Sequence, residues 1–186
     1  VDKLRVRLAA AGAIVRRGTR DPEAYDLVLR AKALRVHGKD SLFRAAKYLE
    51  NAIALDSSYA EAYADLTLVY EQIGILERGS EHPGGPGMTP GDAFRRARRA
   101  AERAIRLDGE SAEAHLALAV LAFRYEWNWT GAANELREAL KRNPTLVSAD
   151  LELSRVERFL GRFALARQLL DSASFFSAGA EPSNGR

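Results

Sequence analysis

Ala52-Ile53-Ala54-Leu55-Asp56, Ala104-Ile105-Arg106-Leu107-Asp108 and Ala139-Leu140-Lys141-Arg142-Asn143-Pro144 are three versions of one ending. After each comes a short cap and a fresh helix-forming stretch, at Tyr59-Ala60-Glu61-Ala62-Tyr63, Ala112-Glu113-Ala114-His115 and Val147-Ser148-Ala149-Asp150. From Ala139 to Ala173 is 34 residues, from Ala104 to Ala139 is 35, and from Ala52 to Ala104 is 52, one period plus an 18-residue insertion. The insertion is visible as Glu-Arg-Gly-Ser-Glu-His-Pro-Gly-Gly-Pro-Gly-Met-Thr-Pro-Gly from Glu77 to Gly91. Its Gly/Pro density predicts a loop. Self-similarity at a fixed period marks a repeat architecture, in which a unit buries its apolar face only against its neighbours.

The spacing inside each period carries the next inference. The second unit places Tyr63, Leu66, Tyr70 and Gly74 along its first helix, with Thr67 beside them, and Ala97, Ala101 and Ala104 along its second. The third supplies Leu118, Ala119, Trp129, Ala132, Leu136, Ala139 and Pro144, with one residue added before the turn. The fourth supplies Leu153, Ser154, Gly161, Phe163, Ala166, Leu170 and Ala173 without a gap. A looser first unit, Pro22 to Asp56, keeps Tyr25, Ala45, Leu49 and Ala52, with about four extra residues around Val36 to Asp40. This pattern resembles the tetratricopeptide family, with Thr67 where a smaller residue is usual and Gly74 where the family has its turn glycine. The resemblance implies an all-α fold of helical hairpins stacked in a right-handed superhelix. It divides the chain into an N-terminal helix (1–20), four units (21–57, 58–109, 110–145 and 146–176) and a tail (177–186). Small residues such as Ala97, Ala132 and Ala166 let paired helix backbones approach closely, and larger ones fill the gaps between.

Local signals agree. Ser58 with Glu61 and Thr89 with Asp92 have capping-box spacing, Asp21 precedes a proline at a first helical position, and Asn128 stands where a cap belongs. Val1 to Arg17 reads as a helix with Leu4, Leu8, Ala11 and Val15 on one stripe, able to cover the first hairpin. Ser177 to Arg186 has the composition of a frayed tail.

Certain words resemble one bacterial subgroup more closely. Lys3-Leu4-Arg5-Val6-Arg7-Leu8 and Gly18-Thr19-Arg20-Asp21-Pro22-Glu23-Ala24-Tyr25-Asp26-Leu27-Val28-Leu29-Arg30 look like the junction entering its repeats. Arg124-Tyr125-Glu126-Trp127-Asn128-Trp129 resembles its Tyr-Asp-Trp-Asp-Trp turn, with Asn128 where that subgroup more often has Asp. There the repeats form the C-terminal part of multidomain regulators, behind a TolB-like segment and a class III adenylate cyclase, winged-helix domain or kinase. The chain, opening at Val1 directly into helix-like sequence, accordingly reads as a piece of a longer protein.

Such repeats offer the exposed positions of their first helices as a groove. Matching places Asp65, Leu68, Glu71 and Gln72 there in the second unit, Leu116, Val120, Phe123 and Arg124 in the third, and Leu151, Arg155, Arg158 and Phe159 in the fourth. Phe and Leu beside Arg suit an apolar anchor next to an acidic group. The lysine and asparagine clamp of chaperone-tail binders is absent, because those positions hold Ala64 and Leu68, Leu116 and Val120, Leu151 and Arg155. The run Phe94-Arg95-Arg96-Ala97-Arg98-Arg99 carries a buried stripe of Phe94, Ala97, Ala101, Ala104 and Ile105. With Glu102 placed to pair with Arg106, its arginines read first as a solvated helix face, and nucleic-acid binding through the Arg95 to Arg106 helix is the lesser alternative. Aromatic residues for base stacking are not interleaved, which disfavours nucleic acid.

Trp129 is expected to pack within its hairpin, whereas Trp127 could serve as an exposed anchor. His37, His82 and His115 lack metal-ligand spacing, and His115, in an aromatic's place, reads as structural. Cys is 0, which removes disulfides and thiolate ligands and fits a reducing compartment. No nucleophile motif or phosphate loop occurs, and Gly84 to Gly91 lacks the strand and Lys-Ser/Thr of one. With 47% hydrophobic and 28% charged residues, a net charge of +3, no stretch of roughly 20 apolar residues and no signal peptide from Val1 to Gly12, neither a membrane nor a nucleic-acid partner is demanded. The expectation is a cytoplasmic, non-catalytic module without metal or cofactor. Its partner would be a protein or peptide, other domains of its own parent chain, or a second copy in a homodimer.

Overall fold

The computed structural model describes residues 18–35, 38–79 and 88–177. Eight helices lie among them: α1 (Pro22–Leu34), α2 (Lys39–Leu55), α3 (Ala60–Arg78), α4 (Pro90–Leu107), α5 (Ala112–Arg124), α6 (Trp129–Arg142), α7 (Val147–Phe159) and α8 (Phe163–Ser177). The small-residue pairs explain why they close as hairpins. Ala45 and Ala52, Ala97 and Ala104, Ala132 and Ala139, and Ala166 and Ala173 are each seven residues apart, two helical turns, so each pair lies on one face. All eight alanines are at most 2% exposed. With only a methyl group at the contact, the second helix of a hairpin settles closely on the first.

Each helix packs on its successor, and the first helices also touch one another, α1 with α3, α3 with α5 and α5 with α7. Second helices make no comparable contact with each other. First helices therefore line the inside of the curve and second helices the outside, which is an all-α tetratricopeptide-type superhelix.

The recurring Asp or Asn that ends each period has a definite task. Asp56, Asp108 and Asn143 each accept, through Oδ1, the backbone N–H two residues on, from Ser58 at 2.9 Å, Glu110 at 3.0 Å and Thr145 at 3.2 Å. Their carbonyls accept the N–H of Tyr59, Ser111 and Leu146, each at 3.2 Å. Every unit-to-unit corner is thus the same side-chain-closed turn. Asp21 caps α1, Thr89 caps α4 and Asn128 caps α6, accepting from Ala24, Asp92 and Gly131 at 3.0, 3.1 and 2.9 Å.

Three expectations need correction. Ser58 does not cap α3: its N–H and hydroxyl are both donated to Asp56, and the helix starts behind Tyr59 instead. Gly74 is not a turn. Helix α3 runs through it to Arg78, because Gly74 is the point where Phe94 of α4 lies flat on α3: a Cβ there would meet Phe94 Cζ at 2.8 Å. Phe94 itself is 1% exposed, stacked on Tyr125 with centroids 4.1 Å apart and covered by the Arg78 guanidinium. The expected loop from Glu77 to Gly91 is consequently shorter at both ends, since Glu77 and Arg78 are helical and Pro90 begins α4. Residues 80–87 of that insertion, the 1–17 stripe, His37 and the tail beyond 177 lie outside the described residues.

Candidate functional site

Equivalent first-helix positions meet different environments along the stack. Leu68, Val120 and Arg155 share one register position, as do Glu71, Phe123 and Arg158, and Gln72, Arg124 and Phe159. In α3 and α5, which pack closely, these positions are largely covered. In α7, which α5 touches more sparingly, they are open.

Four groove candidates are therefore buried rather than lining an open surface. Leu116 and Val120, 6% and 5% exposed, join Leu153 and Val156 in an apolar cluster between α5 and α7. Asp65 is 7% exposed and faces α1, with Arg35 at 3.3 Å and Lys32 at 3.5 Å. Burial raises the Asp65 carboxyl above its ordinary range, against the pull of those two cations. Glu71 is 1% exposed and its carboxyl is pushed up to about 7 by burial, which Arg124 at 3.4 Å only partly offsets. Arg124 also binds Glu152 at 2.6 Å, and Glu152 takes Arg155 at 2.5 Å. Glu71, Arg124, Glu152 and Arg155 form a charged chain across α3, α5 and α7.

Leu68, Gln72 and Phe123 are half-buried. Phe123 meets Phe159 edge-on at 5.2 Å, and Trp129 tilts against the same ring at 5.5 Å. Leu151 and Phe159 are exposed, Phe159 by 59%, together with Arg155 and Arg158. An open pocket of about 300 Å³ lies here, lined by Arg155, Arg158, Phe159 and Phe163. Phe163 is the member that sequence matching passed over. It fits the repeat as a packing residue, yet it is 69% exposed because no described helix covers that end.

Charge sharpens this end. Between Val147 and Ser177 there are four arginines and four acids. Asp150 and Glu157 are buried, and Glu152 has a side chain only 13% exposed. Glu157 is held by Arg137 of α6 and by Arg162 at 3.1 Å. Arg155, Arg158, Arg162 and Arg167 all reach solvent; Arg155 is paired with Glu152 and Arg162 with Glu157, whereas Arg158 and Arg167 have no acidic partner among the described residues. A segment neutral by count thus leaves two unpaired guanidinium groups at its surface, one of them beside Phe159.

The basic helix α4 behaves as a solvated face. Arg95 pairs with Asp92, Arg96 reaches Glu50 at 3.7 Å and Tyr70 Oη at 3.3 Å, Arg98 holds Glu102 at 3.2 Å and also Glu126, and Arg106 reaches Glu102 at 3.9 Å. His115 ties α5 to its surroundings, with Nδ1 2.7 Å from Glu135 and Nε2 3.0 Å from the Gly109 carbonyl. Trp127 is 67% exposed and sits at φ +57°, in the left-handed region that a bulky residue seldom adopts. Among the described residues no His/Asp/Glu cluster could hold a metal ion, and no helix is long and apolar enough to cross a membrane.

Comparison with known proteins found no matching family model and no matching curated protein. Solved structures do resemble it in shape. A crystal structure of MamA superposes at TM-score 0.54 with 19% identity over 86% of this chain and 81% of that one. A second MamA structure gives TM-score 0.54 and 18% identity over 88% and 78%. YrrB, described as a TPR protein with an unusual peptide-binding site, superposes at TM-score 0.40 with 18% identity over 88% and 89%.

Proposed function

We propose that this chain is a non-catalytic interaction module that binds polypeptide along its inner helices, chiefly at the α7 end. The observation that carries this reading is the change of environment along one register. Positions filled by buried Leu116 and Val120 and by half-buried Phe123 and Arg124 in α5 become exposed Leu151, Arg155, Arg158 and Phe159 in α7. An exposed aromatic flanked by guanidinium groups is the composition of an interface centre rather than of ordinary surface. The wider setting, a C-terminal regulatory part of a bacterial signalling protein acting on its own parent chain, is supported by the junction and Trp-Asn-Trp words of the sequence. Affinity capture from the source cell with the wild-type chain tests the reading, with Phe123→Ala and Arg158→Glu as comparisons and circular dichroism to verify folding. A captured partner should be lost with both changes. Retention by both would sink the assignment.

Self-association is the second reading, and one observation favours it. Leu49, Ala101 and Leu136 are fully buried, whereas the corresponding Leu170 is 40% exposed on a helix that also exposes Leu165 and Phe175. Sedimentation across a wide concentration range decides this: a strict monomer removes it.

A further inference from the structure

We propose that the pocket at the C-terminal end of α7 receives an acidic peptide, with one apolar side chain between Phe159 and Phe163 and an adjacent carboxylate on Arg155 and Arg158. This specifies the partner of the interaction face proposed above and rests on that reading.

Size selects the occupant first. A pocket of about 300 Å³ is at the bottom of the range of about 300–1,000 Å³ that encloses small-molecule ligands. Being open, it suits one or two side chains of a chain passing over it. Two phenyl rings, 59% and 69% exposed, give such a side chain apolar surface to cover. Phe159 is held in place from behind by Phe123 and Trp129, so its ring is preorganised and little freedom is lost on binding.

Charge selects the rest. Arg158 has no acidic partner among the described residues, and Arg155 has only Glu152, a carboxylate already shared with Arg124. Guanidinium groups favour planar, two-oxygen acceptors, and a peptide carboxylate supplies one. Arg158, like Arg167 on the next helix, stands exposed with no acidic partner among the described residues, which favours an acidic segment over a basic one. A nucleic-acid strand fits less well. The arginines of α4 that would extend a phosphate track are largely occupied by Asp92, Glu50, Glu102 and Glu126.

The test is selection of a phage-displayed library of random 12-residue peptides on the intact chain, with counter-selection on the Arg158→Glu/Phe159→Ser variant. Expected winners place Asp or Glu within two positions of Phe, Trp or Leu. A synthetic winner should lose at least about tenfold in affinity on Arg155→Gln/Arg158→Gln, on Phe163→Ser, and when its own acids become Lys. Phe163 is exposed enough that its replacement leaves the core intact, and thermal melting verifies this. Winners without acidic residues, indifference to those variants, or equal and equally sensitive binding of a 12-nucleotide single strand would overturn the proposal. Winners that instead respond to Leu68→Glu or Gln72→Arg would overturn the pocket while sparing the interaction module. Failure to select any peptide would overturn both.

Discussion

At Gly74 a single hydrogen atom decides how two helices meet. Phe94 lies where a methyl group would have to be, and its ring is boxed in by Tyr125 and Arg78, so it has no route to withdraw. Alanine in a helix interior gains up to about 1 kcal/mol over glycine, but overpacking a filled site costs about 1–3 kcal/mol. Gly74→Ala is expected to destabilise in urea unfolding, and in a Phe94→Ala background the same change should be neutral or favourable. Glu71 makes a different kind of single-residue statement. Its carboxyl titrates near 7 in the folded chain against an ordinary 4.5, because burial outweighs Arg124. Between those values the folded chain binds more protons than the unfolded one, so this group's contribution is complete below about 4.5 and is lost as pH rises through about 7. Melting curves of wild type and Glu71→Gln from pH 5 to 8 should show the variant gaining steadily on the wild type as pH rises. A pH-independent difference would exclude a titrating Glu71.

Helix ends and corners are where local chemistry most directly shapes the elements. Thr89 opens α4 immediately after the insertion, accepting the Asp92 N–H at 3.1 Å and donating its hydroxyl to the Asp92 carboxylate at 2.7 Å. Thr89→Ala should cost about 0.5–2 kcal/mol in urea unfolding, and Thr89→Ser should recover most of it. A loss below about 0.3 kcal/mol would mean that packing of Phe94 alone determines where α4 begins. The spacing of Thr89 and Asp92 was readable in advance, and so were Asp21 and Asn128. Ser58 had equally good spacing and failed, because Asp56 two residues earlier captured both its N–H and its hydroxyl. Two polar residues competed for one corner, and the one closing the turn won.

Across the whole stack, cohesion is uneven. Helix α3 is buried along eleven positions and touches α1, α2, α4 and α5, whereas among the described residues of α8 only Ala166 and Ala173 are buried. In a repeat protein each unit is held by its own packing and by its nearest neighbours, so the least-covered end opens first. Hydrogen exchange should find α8 amides exchanging fastest, α7 next and α3–α4 slowest. Uniform protection would show that the four hairpins open as one cooperative body. Binding at the Phe159 end should slow α8 selectively, linking this local stability to the proposed function.

The 34-residue recurrence, the alanine pairs and the Asp/Asn corners were legible from residue order alone. They act through short-range effects, such as helical periodicity, close backbone approach and side-chain-closed turns, which the local chain already encodes. Which first-helix positions stay open was not legible. Leu116 and Leu151 are the same residue type at the same repeat position, yet one is 6% and the other 36% exposed. The difference lies in how closely the next inner helix approaches, a long-range property of the stacked array. The same holds for Phe163 and for the unpaired Arg158, because folding engages Glu152 and Glu157 with other arginines and leaves this one exposed.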